Sequence, residues 1–313
     1  MFDEKTQRKA FWSRVFELAK ENRNIVVVSA DQNAPVLDHN FIPWFPDRFV
    51  NVGIAEQAAV LVASGLALEG KIVFTHAITP FITLRVLEQV KMQMGVMKIP
   101  ITLVGVGAGL SYLDSGPTHH ALDDISAMRA IPNVQIHNIS DDVMAGAFAD
   151  IACQMSAPRY VRLDRRGFPD IHEPEEDFLI GVSVVRDGND LSIIGTGNMV
   201  HRAIDIANAL AEQSISVRVI DLYTFPVNAK ALIAAIAGAK MVATIEEHYL
   251  SGGMGSAVLE VFADCGINVP VTRIGADPAL GYTYQYGGRE KLQEIFGLDK
   301  ENATKVIMNA WSP

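Results

Sequence analysis

Short apolar runs rich in β-branched residues alternate along this chain with longer segments that have helical periodicity. The predicted strands are residues 25–28, 72–74, 101–104, 134–136, 160–163, 191–194, 217–220 and 242–245. The predicted helices lie between them, near residues 5–21, 54–69, 81–95, 121–130, 142–155, 199–212, 228–237 and 253–264. Strands that are apolar throughout and separated by helices are typical of a parallel sheet covered on both faces. The pattern therefore predicts an α/β fold.

An acidic, proline-containing stretch divides the chain into two parts. Residues 167–177 hold two prolines and a run of acidic side chains, which is typical of an inter-domain linker. Five of the predicted strands precede this stretch and three follow it. We therefore predict two doubly wound domains, at residues 1–172 and 178–313, the first with a parallel sheet and the second with a mostly parallel one.

Composition and charge narrow the functional classes. The formal net charge is −10, whereas a protein that tracks nucleic-acid phosphates needs a basic face. The longest apolar stretch, residues 58–68, is too short to span a bilayer. Cys153 and Cys265 lie far apart and form no metal-ligand pattern, so we expect two buried, reduced thiols in a cytoplasmic protein. We expect no nucleic-acid partner, no membrane association and no metal ligands on this chain.

The motif Gly53-Ile54-Ala55-Glu56-Gln57 places a carboxyl group at the start of a predicted helix rich in alanine. With Gly53 as the N-cap, Glu56 takes the N3 position, from which a glutamate commonly reaches back to the N-cap N–H. The residues after Glu56 are apolar nearly all round, so we expect this helix to be buried. The carboxyl group is therefore either a capping group or a functional group shielded from water.

A second motif, Gly116-Pro117-Thr118-His119-His120, places an imidazole in a tight loop. Between the two motifs, the stretch from Thr79 to Gln89 contains Phe81 and Arg85. Taken singly, a loop histidine is usually solvated and an aromatic residue at helical spacing normally belongs to the core. Together, the order and spacing resemble the pyrimidine-binding half of the thiamine-diphosphate enzymes of the transketolase group. The family's diphosphate- and metal-binding motif, Gly-Asp-Gly, does not occur in this sequence.

The resemblance implies roles for individual residues on the cofactor side. Glu56 corresponds to the catalytic glutamate that hydrogen-bonds N1′ of the aminopyrimidine and helps it to tautomerise. Phe81 corresponds to the ring that stacks on the aminopyrimidine. By the same resemblance Arg85, Ile54 and Asp31 belong with them to the cofactor-binding set.

On the substrate side, this chain departs from the family pattern. His119 corresponds to the catalytic histidine that contacts the hydroxyl groups of the bound two-carbon unit, and Asp114, Ser115 and Arg165 are assigned to substrate binding. Transketolases commonly have an aspartate where this chain has Ser115, with Asp114 one position earlier. Residues 107–108, where sugar-phosphate enzymes carry a His or Arg, are Gly and Ala. Arg165 matches the arginine that clamps an acceptor phosphate, and it is the one such group that this sequence retains; a structural salt bridge at the strand end is the alternative. A single clamp indicates an acceptor that is not a plain sugar phosphate, or one that the partner subunit holds.

The resemblance covers most of the chain. It is strong across residues 50–141, and residues 195–197 and 221–226 look like the family's C-terminal domain. It implies the β subunit of a split transketolase, which moves a two-carbon ketol unit from a ketose donor to an aldehyde acceptor. The partner would be an α subunit that carries the diphosphate site and holds Mg²⁺ or Ca²⁺, in an α2β2 assembly acting on small sugars.

Three alternatives stay open from the sequence. Two are enzymes: the E1 β subunit of a 2-oxo-acid dehydrogenase, and a carboligase like deoxyxylulose-phosphate synthase. The third is a catalytically idle scaffold, which would bind no thiamine diphosphate in any complex. Ketol transfer, decarboxylation with a lipoyl acceptor and pyruvate condensation are the assays that separate the enzymes. The sequence identifies neither donor nor acceptor, and it gives no role to Tyr282, Tyr284 and Tyr286.

Overall fold

The computed structural model describes residues 5–311, which divide into two compact units. The first unit runs to Ala108 and resumes over Ala127–Pro174. The second takes up Gly109–Ser126 and continues from Glu175. One segment that lies within the first half of the sequence therefore belongs to the second unit.

The first unit is a parallel sheet with helices packed on it. Its strands are β1 (Ile25–Ser29), β2 (Phe49–Asn51), β3 (Ile72–Ile78), β4 (Ile101–Val106), β5 (Gln135–Asn138) and β6 (Arg159–Leu163). The helices of this part of the chain are α1 (Gln7–Glu21), α2 (Ile42–Trp44), α3 (Glu56–Leu68), α4 (Thr79–Ile82), α5 (Leu87–Val90), α6 (Asp124–Arg129, which begins in the second unit) and α7 (Asp142–Gln154). These strands lie in the order β5-β6-β4-β3-β1-β2, and all neighbouring pairs are parallel. Strands β1, β4 and β6 are buried along their whole length, as expected for a sheet covered on both faces.

The second unit is also built on a mostly parallel sheet. Its strands are β7 (Val182–Arg186), β8 (Leu191–Gly195), β9 (Val217–Leu222), β10 (Thr224–Phe225), β11 (Met241–Tyr249) and β12 (Val271–Ala276). Its helices are α8 (Met199–Ala211), α9 (Ala229–Ala235), α10 (Met254–Cys265), α11 (Arg289–Ile295) and α12 (Lys300–Ala310). Five of these strands lie in the order β12-β11-β8-β9-β7, and only the edge strand β7 is antiparallel to its neighbour.

Each of the eight predicted strands overlaps an observed strand. The sequence analysis missed β2, β7, β10, β12, α2, α11 and α12. Strands β2 and β12 are partly exposed and β7 lies at a sheet edge, so none of them has the continuous apolar run of a central strand. Helix α12 buries only Ala303 and Ile307 among its described residues, which leaves a weak helical pattern.

The predicted helix at residues 81–95 is wrong as a single helix. The chain from Thr79 to Val96 forms α4, a 3₁₀ turn, α5 and a π-helical turn. The break falls at Thr83, where φ is −120° and ψ is −78°. The Thr83 hydroxyl donates to the Thr79 carbonyl oxygen at 2.7 Å, a local bond that competes with a regular helix. The predicted helix at residues 121–130 also begins later, at Asp124.

The structure tests the expectations for the two cysteines and for membrane-spanning helices. Cys153 is half-buried and Cys265 is exposed, and both are free, so the expectation that both thiols are buried is wrong. No helix between residues 5 and 311 is long and apolar enough to cross a membrane.

Candidate active site

The candidate residues of the first unit follow the carboxyl ends of its strands. Asp31 follows β1, Glu56 follows β2, Phe81 follows β3 and Arg165 follows β6. The chain passes from β1 outward to β2 and then returns past β1 to β3, so the direction of winding reverses between β1 and β3. Ligands of open α/β sheets bind at such a reversal, outside the carboxyl ends of the strands. The topology therefore places these residues at the carboxyl ends of the strands, where open α/β sheets bind ligands.

Glu56 is the first residue of α3, and only 4% of it is exposed. The N-cap is Ala55, whereas Gly53 forms the preceding turn with φ +72°. The expectation that Gly53 is the N-cap and that Glu56 takes the N3 position is therefore wrong. Glu56 stands at N1, too early in the helix for a capping box. Its carboxylate instead pairs with a side chain from another element.

That side chain is Arg85, from the 3₁₀ turn after α4. Arg85 NH1 donates to Glu56 Oε2 at 2.8 Å, and the guanidinium carbon lies 4.0 Å from the centroid of the Phe81 ring. The Gln57 side chain donates to the Arg85 carbonyl oxygen at 3.2 Å. The Glu56 side chain is 5% exposed and that of Arg85 is 41% exposed, so the arginine lies on the solvent side of the pair. The structure thus brings Glu56, Phe81 and Arg85 into one cluster.

Asn51 is a residue of this edge that the sequence analysis missed. Its amide nitrogen donates to the Asp31 carbonyl oxygen at 3.0 Å, and its Oδ1 accepts from the N–H groups of Asp31 at 3.2 Å and Gly53 at 2.9 Å. Asp31 has φ +63°, which is uncommon for a residue with a side chain. Asn51 therefore ties the loop after β1 to the turn before α3. At that turn, Ile54 is 77% exposed.

Helix α3 is buried on one side only, contrary to the expectation for an apolar helix. Its buried residues are Glu56, Ala59, Val60, Ala63 and Ser64. Three apolar residues on its other side, Leu61, Val62 and Leu68, are 49%, 36% and 66% exposed. The helix therefore presents an exposed apolar stripe, here named the α3 stripe, formed by these three residues and Gly65.

Arg165 lies apart from this cluster, just beyond β6. It is half-buried and lines a surface cleft together with Lys5 and Arg166. Lys5 Nζ lies 3.1 Å from Asp170 Oδ2, and the Arg166 N–H donates to Asp164 Oδ1 at 2.9 Å. Three basic side chains in one cleft make this surface suitable for an anionic group.

The predicted histidine loop lies in the second unit and is closed at its base. The Ala121 N–H donates to the Gly109 carbonyl oxygen at 2.8 Å. Within the loop Gly116 has φ +74°, and the His119 N–H donates to its carbonyl oxygen at 3.0 Å. His119 is half-buried, with Nδ1 2.9 Å from Thr118 Oγ1.

The Tyr112 ring lies against the His119 ring. The centroids of the Tyr112 and His119 rings are 5.4 Å apart. His120 is buried and hydrogen-bonds the Tyr112 backbone, and burial lowers the pKa of its imidazole. Asp114 is exposed, and Ser115 Oγ donates to its Oδ1 at 3.4 Å. The loop thus groups Asp114, Ser115 and His119, whose roles in substrate binding stay a prediction.

The described part of the chain offers no cluster of metal ligands. Residues 5–311 contain no group of three or more His, Cys, Asp or Glu side chains arranged to hold a metal ion. The candidate residues present a shielded carboxylate, a guanidinium on an aromatic ring and an imidazole.

Both halves of the chain match domain models of known proteins. Residues 3–169 match the model of the transketolase pyrimidine binding domain, and residues 181–302 match that of the transketolase C-terminal domain. The chain is 35% identical over 298 residues to one subunit of an apulose-4-phosphate transketolase from Actinobacillus succinogenes, and the match covers 95% of each chain. It is 34% identical over 308 residues to a putative transketolase C-terminal section from Methanocaldococcus jannaschii, covering 97% of this chain and 96% of that protein.

A solved structure gives the same result for the fold. It is described as a split gene transketolase, inactive beta4 tetramer, and it matches 98% of each chain with a TM-score of 0.85 and 31% sequence identity. These comparisons confirm the predicted fold class and the resemblance that the motifs carry. This chain therefore belongs to the transketolase family, in which it is the β subunit of a split transferase that acts together with a partner subunit.

Proposed function

We propose that the cluster of Glu56, Phe81 and Arg85 is the pyrimidine-binding half of a thiamine-diphosphate site. The observation that carries this proposal is the Glu56 carboxylate, which is shielded from water at the head of α3 and held by Arg85. Dependence on thiamine diphosphate follows from the two transketolase domains that the chain contains.

The residues of the cluster fit an aminopyrimidine ring. Glu56 provides a carboxyl group that exchanges a hydrogen bond with the ring nitrogen N1′, and Arg85 fixes the orientation of that carboxyl group. Phe81 provides aromatic surface, while Ile54 and the loop of Asp31 complete the rim. The bound cofactor supplies the electron sink that C–C bond cleavage and formation require. The role of Glu56 is to hold the proton at N1′ within a site that excludes water.

His119 is the second residue of the proposed machinery. An imidazole titrates near neutral pH, so it can donate to or accept from the hydroxyl groups of a sugar. Asp114 and Ser115 share its loop and offer further hydrogen-bonding groups to the substrate. We assign the three side chains to recognition of donor and acceptor, with His119 as the proton-transfer group.

The proposed partner is an α subunit that supplies the diphosphate site and its Mg²⁺ or Ca²⁺, in an α2β2 assembly. The absence of Gly-Asp-Gly from this sequence supports this division of labour. The solved relative is described as an inactive tetramer of β chains, which supports a need for a second kind of subunit. The α3 stripe supports it too, because exposed apolar patches mark interaction surfaces.

For the substrates, we propose small sugars of which at least one carries an anionic group. The basic cleft of Arg165, Lys5 and Arg166 supports an anionic acceptor. The relative from Actinobacillus succinogenes is named for apulose 4-phosphate, which is a sugar phosphate. A cytoplasmic role in carbohydrate metabolism is part of the same proposal, and the two free thiols support a reducing compartment.

The test is the substitution Glu56→Gln in the assembled complex of this chain with its partner. Glutamine keeps the size of the side chain but cannot exchange a proton, so we expect kcat for ketol transfer to fall by about 100-fold or more. Transfer is measured with hydroxypyruvate as donor and D-glyceraldehyde 3-phosphate as acceptor. Thermal unfolding of the chain should change little, because the Arg85 hydrogen bond keeps an acceptor oxygen.

The matched control is Glu69→Gln, the same substitution at the exposed C-terminal end of the same helix. It should leave both kcat and the unfolding temperature close to those of the wild type. Wild-type turnover by the Glu56→Gln complex would remove Glu56 from the mechanism and with it the proposed pyrimidine site.

A further inference from the structure

The segment Gly109–Ser126 is built into the second unit, although the strands that flank it in the sequence, β4 and β5, belong to the first unit. It carries His119, Asp114 and Ser115. No acidic or proline-rich linker marks the ends of the segment, so the sequence gives no indication that it belongs to the second unit. The second unit must therefore hold the segment by contacts that come from distant parts of the chain.

Three consecutive residues at the carboxyl end of β11 make these contacts. Glu247 Oε2 accepts from the Leu110 N–H at 2.9 Å, the Tyr249 N–H donates to the Leu122 carbonyl oxygen at 2.7 Å, and the Ser126 N–H points to His248 Nε2 at 3.4 Å. The pairing of β11 with β12 shifts register between Ile245 and Tyr249. Such irregularities re-aim side chains near functional sites. The end of β11 thus holds the segment at its beginning, through Leu110, and near its end, through Leu122 and Ser126.

Glu247 is the most constrained of the three residues. Its side chain is fully buried, and its two carboxylate oxygens accept from Arg289 Nε at 3.0 Å, from Arg289 NH2 and from Gln293 Nε2 at 2.7 Å. Arg289 and Gln293 both come from α11. A carboxylate held by a bidentate arginine and an amide has one orientation, and that orientation presents Oε2 to Leu110.

The contact with the segment requires a glycine. Gly109 has φ +57°, and a Cβ atom added there would overlap the Glu247 carboxylate. The same glycine closes the base of the histidine loop through its bond to Ala121. Tyr112, two positions after Leu110 in the chain, has its ring against His119. A short, packed path therefore joins Glu247 to the imidazole.

We propose that Glu247 is a positioning residue for His119, and that holding the histidine loop is a function of the C-terminal half of the chain in catalysis. This inference rests on the proposed function, which gives His119 its place in substrate recognition. Glu247 touches neither substrate nor cofactor in this proposal. It acts by fixing the backbone from which His119 projects.

The experiment uses the reconstituted complex with thiamine diphosphate, Mg²⁺, hydroxypyruvate and D-glyceraldehyde 3-phosphate. In Glu247→Gln, the charge that orients the Arg289 pair is lost, and the histidine loop should become mobile. We expect kcat to fall by about 100-fold, the size of effect that a misplacement of about 1 Å produces, with an unchanged KM for the cofactor. Amide hydrogens of residues 110–126 should exchange faster with solvent.

The matched control is Glu246→Gln, one residue earlier on β11. Glu246 is also fully buried and also accepts backbone N–H groups, but these belong to Met254 and Gly255 at the start of α10. The control removes the same charge from the same strand, but Glu246 accepts no N–H group of the loop residues 109–121 among its hydrogen bonds to α10. Glu246 Oε2 does lie 4.0 Å from Nδ1 of His248, which faces Ser126, so hydrogen exchange in the control is compared over residues 110–121. Glu246→Gln should leave kcat and the exchange of these residues close to wild type, even where the unfolding temperature falls.

A second variant tests the same contact without the loss of a buried charge, because that loss can prevent folding. Gly109→Ala pushes against Glu247 from the loop side and removes no charge. Its control is Gly266→Ala, which has a similar φ of +67° and open space around the added Cβ. We expect Gly109→Ala, and not Gly266→Ala, to reproduce the loss of kcat and the faster exchange of residues 110–126.

A double-mutant cycle separates positioning from general stability. Once His119→Asn has removed the imidazole, Glu247→Gln should cost little further activity, because both changes act through one group. Additive losses would overturn the inference, as would wild-type kcat in Glu247→Gln or Gly109→Ala while His119→Asn is impaired. Wild-type activity of His119→Asn itself would instead overturn the proposed role of His119.

Discussion

At the scale of single residues, the motif around Glu56 does not determine the environment of its carboxyl group. The sequence Gly53–Gln57 places Glu56 at a helix start, where both a cap and a shielded functional group are local explanations. The structure excludes the capping box, because Glu56 stands at N1, and it shows a carboxylate that is 4% exposed and paired with Arg85. Asn51 carried no such motif, and its part in holding Asp31 and Gly53 emerged only from its hydrogen bonds.

Two buried histidines predict the response of the first unit to acid. Burial lowers the pKa of His76 from 6.5 to about 4 and that of His137 from 6.5 to about 3, and nearby arginines act in the same direction. Below pH 6.5 these two histidines are therefore protonated in the unfolded chain while they stay neutral in the native state. Stability is complete above pH 6.5 and is lost as pH falls through 6.5 towards 4, by up to about 1.4 kcal/mol per pH unit for each histidine.

The measurement is the free energy of unfolding in urea between pH 7 and pH 4.5 for the wild type and for His76→Gln. The variant should show a shallower fall with acid, whereas His39→Gln, at an exposed histidine, should keep the wild-type slope. Asp142, whose pKa burial raises to about 6, acts in the opposite direction, so the difference between variants is the quantity to compare. Equal slopes in wild type and His76→Gln would contradict the prediction.

At the scale of elements, hydrophobic periodicity located strands well and helices less well. Central parallel strands are apolar throughout, so β1, β3, β4, β6, β8, β9 and β11 were all recognisable. The stretch after β3 was predicted as one helix because its apolar spacing is helical, but the Thr83 hydroxyl and its unusual φ and ψ divide it. Arg85, just after this division, pairs with Glu56 and lies over the Phe81 ring.

Helix α3 carries a prediction about assembly. Its buried face packs on the first unit, while the α3 stripe of Leu61, Val62, Gly65 and Leu68 is exposed. A charge placed in the stripe should oppose burial against a partner without disturbing the fold of the chain. We expect Leu61→Glu to abolish or strongly weaken association with the partner subunit, measured by light scattering of the mixed subunits, with an unchanged unfolding temperature.

The comparison for this variant is Val306→Glu, at a residue of α12 that is 41% exposed, against 49% for Leu61. It tests whether any exposed apolar residue has the same effect. Full assembly of the Leu61→Glu chain would show that the α3 stripe is not part of the subunit interface.

At the scale of the whole molecule, the chain holds two transketolase domains but lacks the family's diphosphate-binding motif. Among residues 5–311 it also offers no metal-binding cluster. The cofactor contacts proposed for Glu56 and Phe81 reach only the pyrimidine. Under the proposed function, the contacts to the diphosphate come from the partner subunit.

The isolated chain should therefore bind thiamine diphosphate weakly and turn over no substrate. Binding is measured by calorimetry and transfer by the hydroxypyruvate assay, for this chain alone, for the partner alone and for the mixture. Only the mixture should be active, and its activity should saturate at a fixed ratio of the two subunits. Turnover by the chain alone, at the same rate in the presence of a metal chelator, would contradict the division of the site.

The sequence by itself determined what depends on local pattern. Strand and helix periodicity are repeated every few residues, so the alternation of elements and the α/β class were readable, and the motifs around Glu56, Phe81 and His119 indicated the family. Only the tertiary structure decided which residues act together. Glu56 meets Arg85 across 29 positions, and Glu247 meets Leu110 across 137. Such contacts depend on the spatial order of the strands in the sheet and on which unit a segment belongs to. The spacing of neighbouring residues determines neither.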